Sequence, residues 1–538
     1  MKRFSSGALT GEQKELQDEL YQECQDAGME YDYLFIGMGN ATLTCASLLS
    51  NKGYKVCMLE AHDVAGGYAH TFERNGYHFC AQVHYIWGCG EGERVYEFLK
   101  HLGLEKDITF ELFDETGYDH MIMPDGKRVK IPYDWTQLKK NIEEAYPGTT
   151  GLDAFLKIVE ALRKEMAALP RKIHWWDYLL KGPLYYPTLM RYKNATVQDL
   201  FDTCGVPIEA QTVLTAQAGD LMLPPNKLSM LFYAGLLGGY GRGAYAPTKH
   251  FKYYIERLSK FLTDHGAELY FQEKVTAISA NNGSISGVST ASGKTFTAKN
   301  YICGMDPQKA AELIGWQHFG NNYQDKLKYE YSGNGVVVYL GLKPGFDPAK
   351  YGLGNHNTWH CLDWGMNTMW EAGERLDIDK TWVFISTPTM HGTDNTNVAP
   401  EGGHIIELAT YAPYAPFKQA ADQSYQDYQA LKQEIGEKLI DLVVKYHIPD
   451  LKDHIAVKIL GSPTTSEDFC ESPYGNAYGA ELSPKYAASR LKADTPFANL
   501  HWCNASSGSP SIYGTVYTGM ELYTDLTGEI IFTKNESQ

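Results

Sequence analysis

Gly37 and Gly39 stand two residues apart in "YLFIGMGNATLTCASLLSNKG", where an apolar run gives way to a helix-forming one, and Glu60 follows about twenty residues on. A turn between strand and helix points free backbone N–H groups and the positive end of the helix at an anion, and glycines let that backbone come close. The set predicts a pyrophosphate cradle opened by Gly37, Gly39, Asn40 and Ala41, with Glu60 and its neighbour Ala61 at the adenosine ribose hydroxyls. The third place of G-x-G-x-x-G is Thr42, which departs from the residue used for close helix–strand packing. Gly66 and Gly67 follow at once, giving a carboxylate and a glycine pair after the second strand.

The elements that must position these residues are legible around them. "YLFIG" reads as a buried strand, "ATLTCASLLSNKG" as a helix closed by Gly53 and "YKVCMLE" as a second strand, a βαβ unit with parallel strands and a right-handed crossover. Thr10 with Gln13 makes a capping-box start for a lead-in helix over residues 11–27. Longer helices and loops occupy about 120–239, and "TKHFKYYIERLSKFLTDH" is a strongly amphipathic helix. The run "AELYFQEKVTAISANNGSISGVSTASGKTFTAKNYICG" reads as a small antiparallel sheet with Asn-Asn-Gly and Ser-Gly turns. Residues 330–412 read as largely β, and "QSYQDYQALKQEIGEKLIDLVVKYH" as a long helix.

At 538 residues with 43% hydrophobic side chains, the chain calls for two or more well-packed domains. A net charge of −17 argues against general nucleic-acid binding, which needs a basic footprint. There is no signal-peptide core at the N-terminus and no apolar run of about 18 residues, so the expectation is a cytoplasmic protein without a spanning helix. The ten cysteines are scattered with no C-x-x-C, as thiols in a reducing compartment would be.

The E-x5-G-G arrangement resembles the two-dinucleotide-binding-domain flavoproteins. "GGYAHTFERNGYHFCAQVHYIWG", "GGYGRGAYAPTKHFKYYIERLSKFLTDHGAELYFQEKVTAI" and "FANLHWCNASSGSPSIYGTVYTGMELYTDL" are similar to three segments of the phytoene desaturase, carotenoid isomerase and retinol saturase superfamily. The resemblance implies an α/β fold with a Rossmann-like FAD-binding domain and a discontinuous α+β substrate domain. It implies FAD as cofactor, with Tyr68 and Val83 beside the glycine pair, Val275 near the adenine, and Ser506, Gly514, Thr515 and Val516 closing over the flavin. Asn504 stands where that family has glycine. The expected division is a helical extension over 1–30, an FAD-binding domain over 31–120, 240–310 and 495–538, and a substrate and membrane-facing domain over 121–239 and 311–494. No second strand–glycine–helix unit is present, because "GGYGRGAYA" follows helical sequence rather than a strand.

The same resemblance sets His84 and Tyr85 at the flavin ring, and both side chains can carry protons, which makes them the catalytic candidates. A metal reading of His70, His78, Cys80, His84 and Cys89 fails on irregular spacing, and no metal is expected. Residues 161–194 hold seven Lys or Arg, among them Arg163, Lys164 and Arg171, interleaved with Trp175, Trp176, Tyr178, Leu179, Leu180, Tyr185 and Tyr186. In an acidic chain this predicts a peripheral membrane or substrate-entry face, the bland alternative being a helical cap with solvated lysines. The expected activity is FAD-dependent saturation, desaturation or cis–trans isomerisation of a carbon–carbon double bond in a lipophilic polyene, a carotenoid or retinoid. The alternatives are a polyunsaturated fatty acid isomerase or an amine oxidase-like flavoenzyme, with Arg242 a candidate for meeting an acidic substrate, and a flavin-free interaction protein if Thr42 and Asn504 abolish cofactor binding. Oligomeric state leaves no mark in the sequence.

Overall fold

Strand β1 (Tyr31–Ile36) is buried along nearly its whole length, as an apolar run in the middle of a parallel sheet must be. The computed structural model describes residues 31–532 apart from 172–180, 393, 395–397 and 488. The expected lead-in helix, and Trp175, Trp176, Tyr178, Leu179 and Leu180 of the basic aromatic segment, lie outside the described residues. After β1 come helix α1 (Asn40–Asn51) and β2 (Val56–Leu59), with Gly53 at φ +90° in the left-handed turn between them. Three later strands, β3 (Glu268–Tyr270), β4 (Ala298–Cys303) and β5 (Leu500–Trp502), complete a parallel sheet of order β5–β4–β1–β2–β3. The "AELYF…NYICG" run is therefore not one antiparallel sheet. Its two ends join the parallel sheet as β3 and β4, and its middle forms a three-stranded antiparallel sheet over Val275–Asn281, Ser284–Thr290 and Thr295–Phe296. Local alternation is the same in both pairings, so only tertiary partners separate them.

Helix α1 is buried from Asn40 to Ser50, because the C-terminal helix α2 (Ser511–Thr527) covers the side turned from the sheet. The two helices touch through Gly519, where an added Cβ would lie 2.5 Å from the Ala41 carbonyl oxygen.

A second, seven-stranded sheet runs Ile455–Gly461, Gly335–Leu342, His404–Tyr411, Trp382–Ser386, Asn357–Cys361, Asp119–Ile122 and Arg128–Ile131 in spatial order. All its pairings are antiparallel except Asn357–Cys361 with Asp119–Ile122. One face packs on the long helix Tyr425–Tyr446 through Val336, Val338, Leu340, Ile406 and Leu408. The other face carries Trp359, Trp382 and Phe384 into a core shared with the helices between residues 135 and 240. The last of these, Met230–Tyr240, is apolar all round and precedes "GRGAY", so that glycine-rich segment follows a helix.

Three of the seven cations of residues 161–194 are held in ion pairs at the surface. Arg163 and Lys164 pair with Glu160, and Arg171 with Glu521 and Asp525. Leu184 and Tyr185 remain 79% and 68% exposed. Among the described residues no helix is long and apolar enough to cross a membrane.

Candidate active site

The phosphate turn is built as its chemistry requires. Gly37 takes φ +92°, and Gly39 caps α1 without a side-chain hydrogen bond, so the first N–H groups of the helix stay available to an anion. A Cβ on Gly39 would meet no protein atom within 4 Å, which leaves open the space a pyrophosphate needs. Thr42, the departure from the glycine pattern, fits by two devices. Its Oγ1 donates toward the Gly37 and Gly39 carbonyl oxygens, each at 2.8 Å, and its methyl group lies where a Cβ on Gly304 would intrude at 2.7 Å. The glycine needed for close packing has moved from the helix to the end of β4.

Glu60 is fixed from both sides, accepting from the Met38 N–H at 2.7 Å and from the His62 N–H at 2.9 Å. Burial pushes its carboxyl up while these two N–H groups pull it down. Gly66 (φ +117°) bridges to Gly39, and a Cβ on Gly67 would sit 3.4 Å from the Gly39 Cα, so the glycine pair lies directly on the phosphate turn. Tyr68 donates to the Asn476 carbonyl oxygen at 2.5 Å. Ala41, Ala61, Val83 and Val275 line the same cavity.

At the C-terminal side, Asn504 closes its own turn, with Oδ1 accepting from the Ser506 and Ser507 N–H groups at 3.0 Å each and Nδ2 donating to the Met305 carbonyl oxygen at 2.9 Å. Asparagine thus supplies by side-chain hydrogen bonds a loop shape for which the resemblance offers glycine. Ser506 and Thr515 line the cavity, and Thr515 Oγ1 accepts from Asn40 Nδ2 at 2.9 Å. Gly514 and Val516 do not line it. Both belong to α2, whose helical period turns Ile512 and Thr515 to the cavity, sends Val516 into the core and packs Gly514 on Ser509.

The cavity, about 340 Å³, continues past Val83 to His84, Tyr85, Trp87, Asp220 and Tyr240. His84 and Tyr85, neighbours in sequence, reach different carboxylates. His84 Nδ1 lies 2.8 Å from Glu407 Oε2, while Tyr85 donates to Asp220 Oδ2 at 2.8 Å and has Asp119 Oδ2 at 3.3 Å. Gln217 donates to the same Asp119 oxygen at 2.7 Å. Glu407 and Asp119 are both fully buried on the seven-stranded sheet. Burial and the Asp220 charge push Asp119 well above the usual carboxylate range, and burial raises Asp220 to about 6. His250 and His391 share a small void with His84 and are held down to about 4 and 3 by burial, so both are neutral at physiological pH.

Sequence reasoning missed Asp119, Asp220, Glu407 and Arg490. Each acid interrupts an otherwise apolar stretch, "YDHMIM", "AGDLML" and "HIIELATY", and a lone carboxylate in a buried run is a signal in its own right. Arg490 donates to the Tyr478, Ala480, Ala505 and Gly508 carbonyl oxygens and so holds the C-terminal loop. Arg242 does not face the cavity. It pairs with Glu93 at 3.1 Å, where its side chain is 39% exposed.

Among the described residues, Asp114, His120 and His356 bring potential ligand atoms within 4.8 Å of one another. Arg128 Nη1 lies 3.3 Å from His120 Nδ1 and Lys130 Nζ lies 3.9 Å from Asp114, two cations where a metal would need anions. The histidines of the rejected metal reading do not belong to this group.

The sequence model of the flavin containing amine oxidoreductase family matches residues 43–412. The chain belongs to this family. Prolycopene isomerase of Daucus carota is 24% identical over 482 residues, covering 84% of this chain and 72% of its own. All-trans-retinol 13,14-reductase of Danio rerio is 21% identical over 514 residues, covering 88% and 82%. Cyclohexylamine oxidase from Brevibacterium oxydans IH-35A shares the fold, with a TM-score of 0.60 at 16% identity over 92% of this chain and 98% of that one. The family's cofactor here is FAD, and the open glycine turn, the uncapped helix and the doubly anchored Glu60 fit it.

Proposed function

We propose that this FAD-dependent enzyme acts on a carbon–carbon double bond of a lipophilic polyene, a carotenoid or retinoid, by saturation, desaturation or cis–trans isomerisation. The observation that carries the reading is the continuation of the dinucleotide cavity into a region lined by Trp87, Leu221, Leu236 and Tyr240 beside Tyr85 and Asp220, with His84 in the same wall. The likeness to a prolycopene isomerase and a retinol reductase supports it. Bound FAD supplies the electron or hydride transfer. His84 handles the proton: a carboxylate at Nδ1 fixes the imidazole with its proton on that atom, so Nε2 can take a proton and return it. Glu407 orients the ring, and the aromatic wall excludes water.

Substrate delivery is proposed to use residues 161–194, where Leu184 and Tyr185 stand out into solvent.

The experiment is to reduce the FAD-loaded protein anaerobically, add carotenoids and retinoids, and follow flavin and polyene absorbance together. Reoxidation of the flavin with loss of the polyene band identifies a reductase. A polyene change while the flavin stays reduced identifies an isomerase, bleaching of oxidised flavin when a polyene is added to the unreduced protein identifies a desaturase, and no change with any polyene from either flavin state overturns the reading.

A further inference from the structure

Asp220 stands on the side of the cavity next to the seven-stranded sheet, among apolar side chains, tyrosines, Asp119 and His84. Tyr85 holds its Oδ2, and Oδ1 carries no hydrogen bond among the described residues. The titratable groups facing it are Tyr85, Asp119, His84, Tyr240 and Tyr478. The cation in the cavity wall, Lys274, belongs to the adenosine end, where Glu273 N–H bonds the Glu60 carbonyl and Lys274 itself pairs with Glu471 at 2.6 Å. Among the described residues no lysine or arginine lines the Asp220 end.

We propose that Asp220, held by Tyr85 and backed by Asp119, selects chains whose end group in this cavity is an uncharged or cationic hydrogen-bond donor, a hydroxyl or an amine, and excludes chains ending in a carboxylate. The inference rests on reading the cavity as the site of a lipophilic chain. A hydroxyl or ammonium can donate to the free Oδ1. A carboxylate has no proton to give and meets an existing carboxyl pair, and like charges share such a site only if one of them is neutralised. Burial raises Asp220 to about 6, so it is an anion at pH 8 and the exclusion is in force there. Selection works here by repulsion as much as by attraction.

The test is a titration of FAD-loaded protein at pH 8 with two series, all-trans-retinol, retinylamine and retinoic acid, then hexadecanol, hexadecylamine and palmitate, read by the perturbation of the flavin spectrum. In each series the alcohol and the amine bind at least ~10-fold tighter than the acid, and Asp220→Asn brings the acid to within about 3-fold of the alcohol. Asp220→Ser gives the same narrowing and serves if the first variant does not fold. An acid that binds wild-type protein as tightly as the alcohol, or a ranking unchanged in a folded, FAD-loaded variant, overturns the proposal. If end groups rank as stated but polyenes bind no better than saturated chains, the end-group rule stands and the polyene reading falls. If neither series perturbs the flavin, both fall.

Discussion

His84 and Glu407 form a buried pair, 2.8 Å from Nδ1 to Oε2, on a carboxylate whose other oxygen has no partner among the described residues. A strand acid with half its hydrogen-bonding capacity unused is kept for the histidine it holds. Glu407→Gln preserves the shape and removes the charge. The expected outcome is normal FAD content with turnover of the polyene lowered about 10²–10⁴-fold, measured by absorbance against flavin concentration. Full turnover in a loaded variant would remove Glu407 from the proton path.

The exchange between Thr42 and Gly304 makes a prediction about stability. Gly304→Ala forces a Cβ to within 2.7 Å of the Thr42 methyl group and is expected to cost about 1–3 kcal/mol in denaturant unfolding. Thr42→Ser, which removes that methyl group and keeps the hydroxyl, restores most of the loss in the double variant. Equal losses with and without the serine would show that the two residues do not share the space.

Glu60→Ala is expected to weaken FAD binding about 10–100-fold, the range of a lost charge-assisted hydrogen bond, with little change in the melting temperature of the FAD-free protein. Fluorescence titration of FAD into stripped protein measures it. Glu60→Gln falls between the two, because the amide oxygen can still accept from one of the Met38 and His62 N–H groups.

Asp220 gives a pH dependence whose sign follows from its raised carboxyl. Folded protein holds this proton up to about pH 6, whereas an unfolded aspartate releases it near 3.8, so stability falls as the pH rises across that window. Asp220→Asn lifts the burden and is expected to be more stable than wild type at pH 8 by on the order of 2–3 kcal/mol, with the difference closing below pH 4. Unfolding curves at the two pH values decide it, and a variant less stable at pH 8 would mean that Asp220 contributes more as an anion than its burial costs.

If residues 161–194 deliver substrate at a lipid surface, Leu184→Ser with Tyr185→Ser reduces cosedimentation with phospholipid vesicles several-fold while FAD content is unchanged. Equal recovery of both proteins with the vesicles would assign these side chains no part in it.

The parts of the site visible in the sequence are those made by adjacent residues. Gly37, Gly39, Glu60 and the glycine pair act through backbone shape, which local spacing encodes, and β1, α1 and β2 were legible for the same reason. Asp119, Asp220 and Glu407 were not, because they come together only when a sheet of distant strands brings residues 119 and 407 behind residues 84 and 85. Gly514 and Val516 were assigned to the cavity because a motif names consecutive positions, whereas the helix they belong to presents only every third or fourth. The placement of β3 and β4 was hidden likewise, since a strand's sequence does not name its partner.

Asn40 and Thr515, bonded at 2.9 Å, lie 475 residues apart, and between them they join α1, the helix of the phosphate turn, to α2. A ribosome therefore delivers the cradle 475 residues before its cover. For most of synthesis α1 waits without the helix that buries it and β4 without β5, so the nascent chain carries an unfinished dinucleotide site that long-range closure must complete. Cofactor capture waits for α2, and a chain cut short before it would keep Gly37, Gly39, Gly66 and Gly67 and still lack their cover.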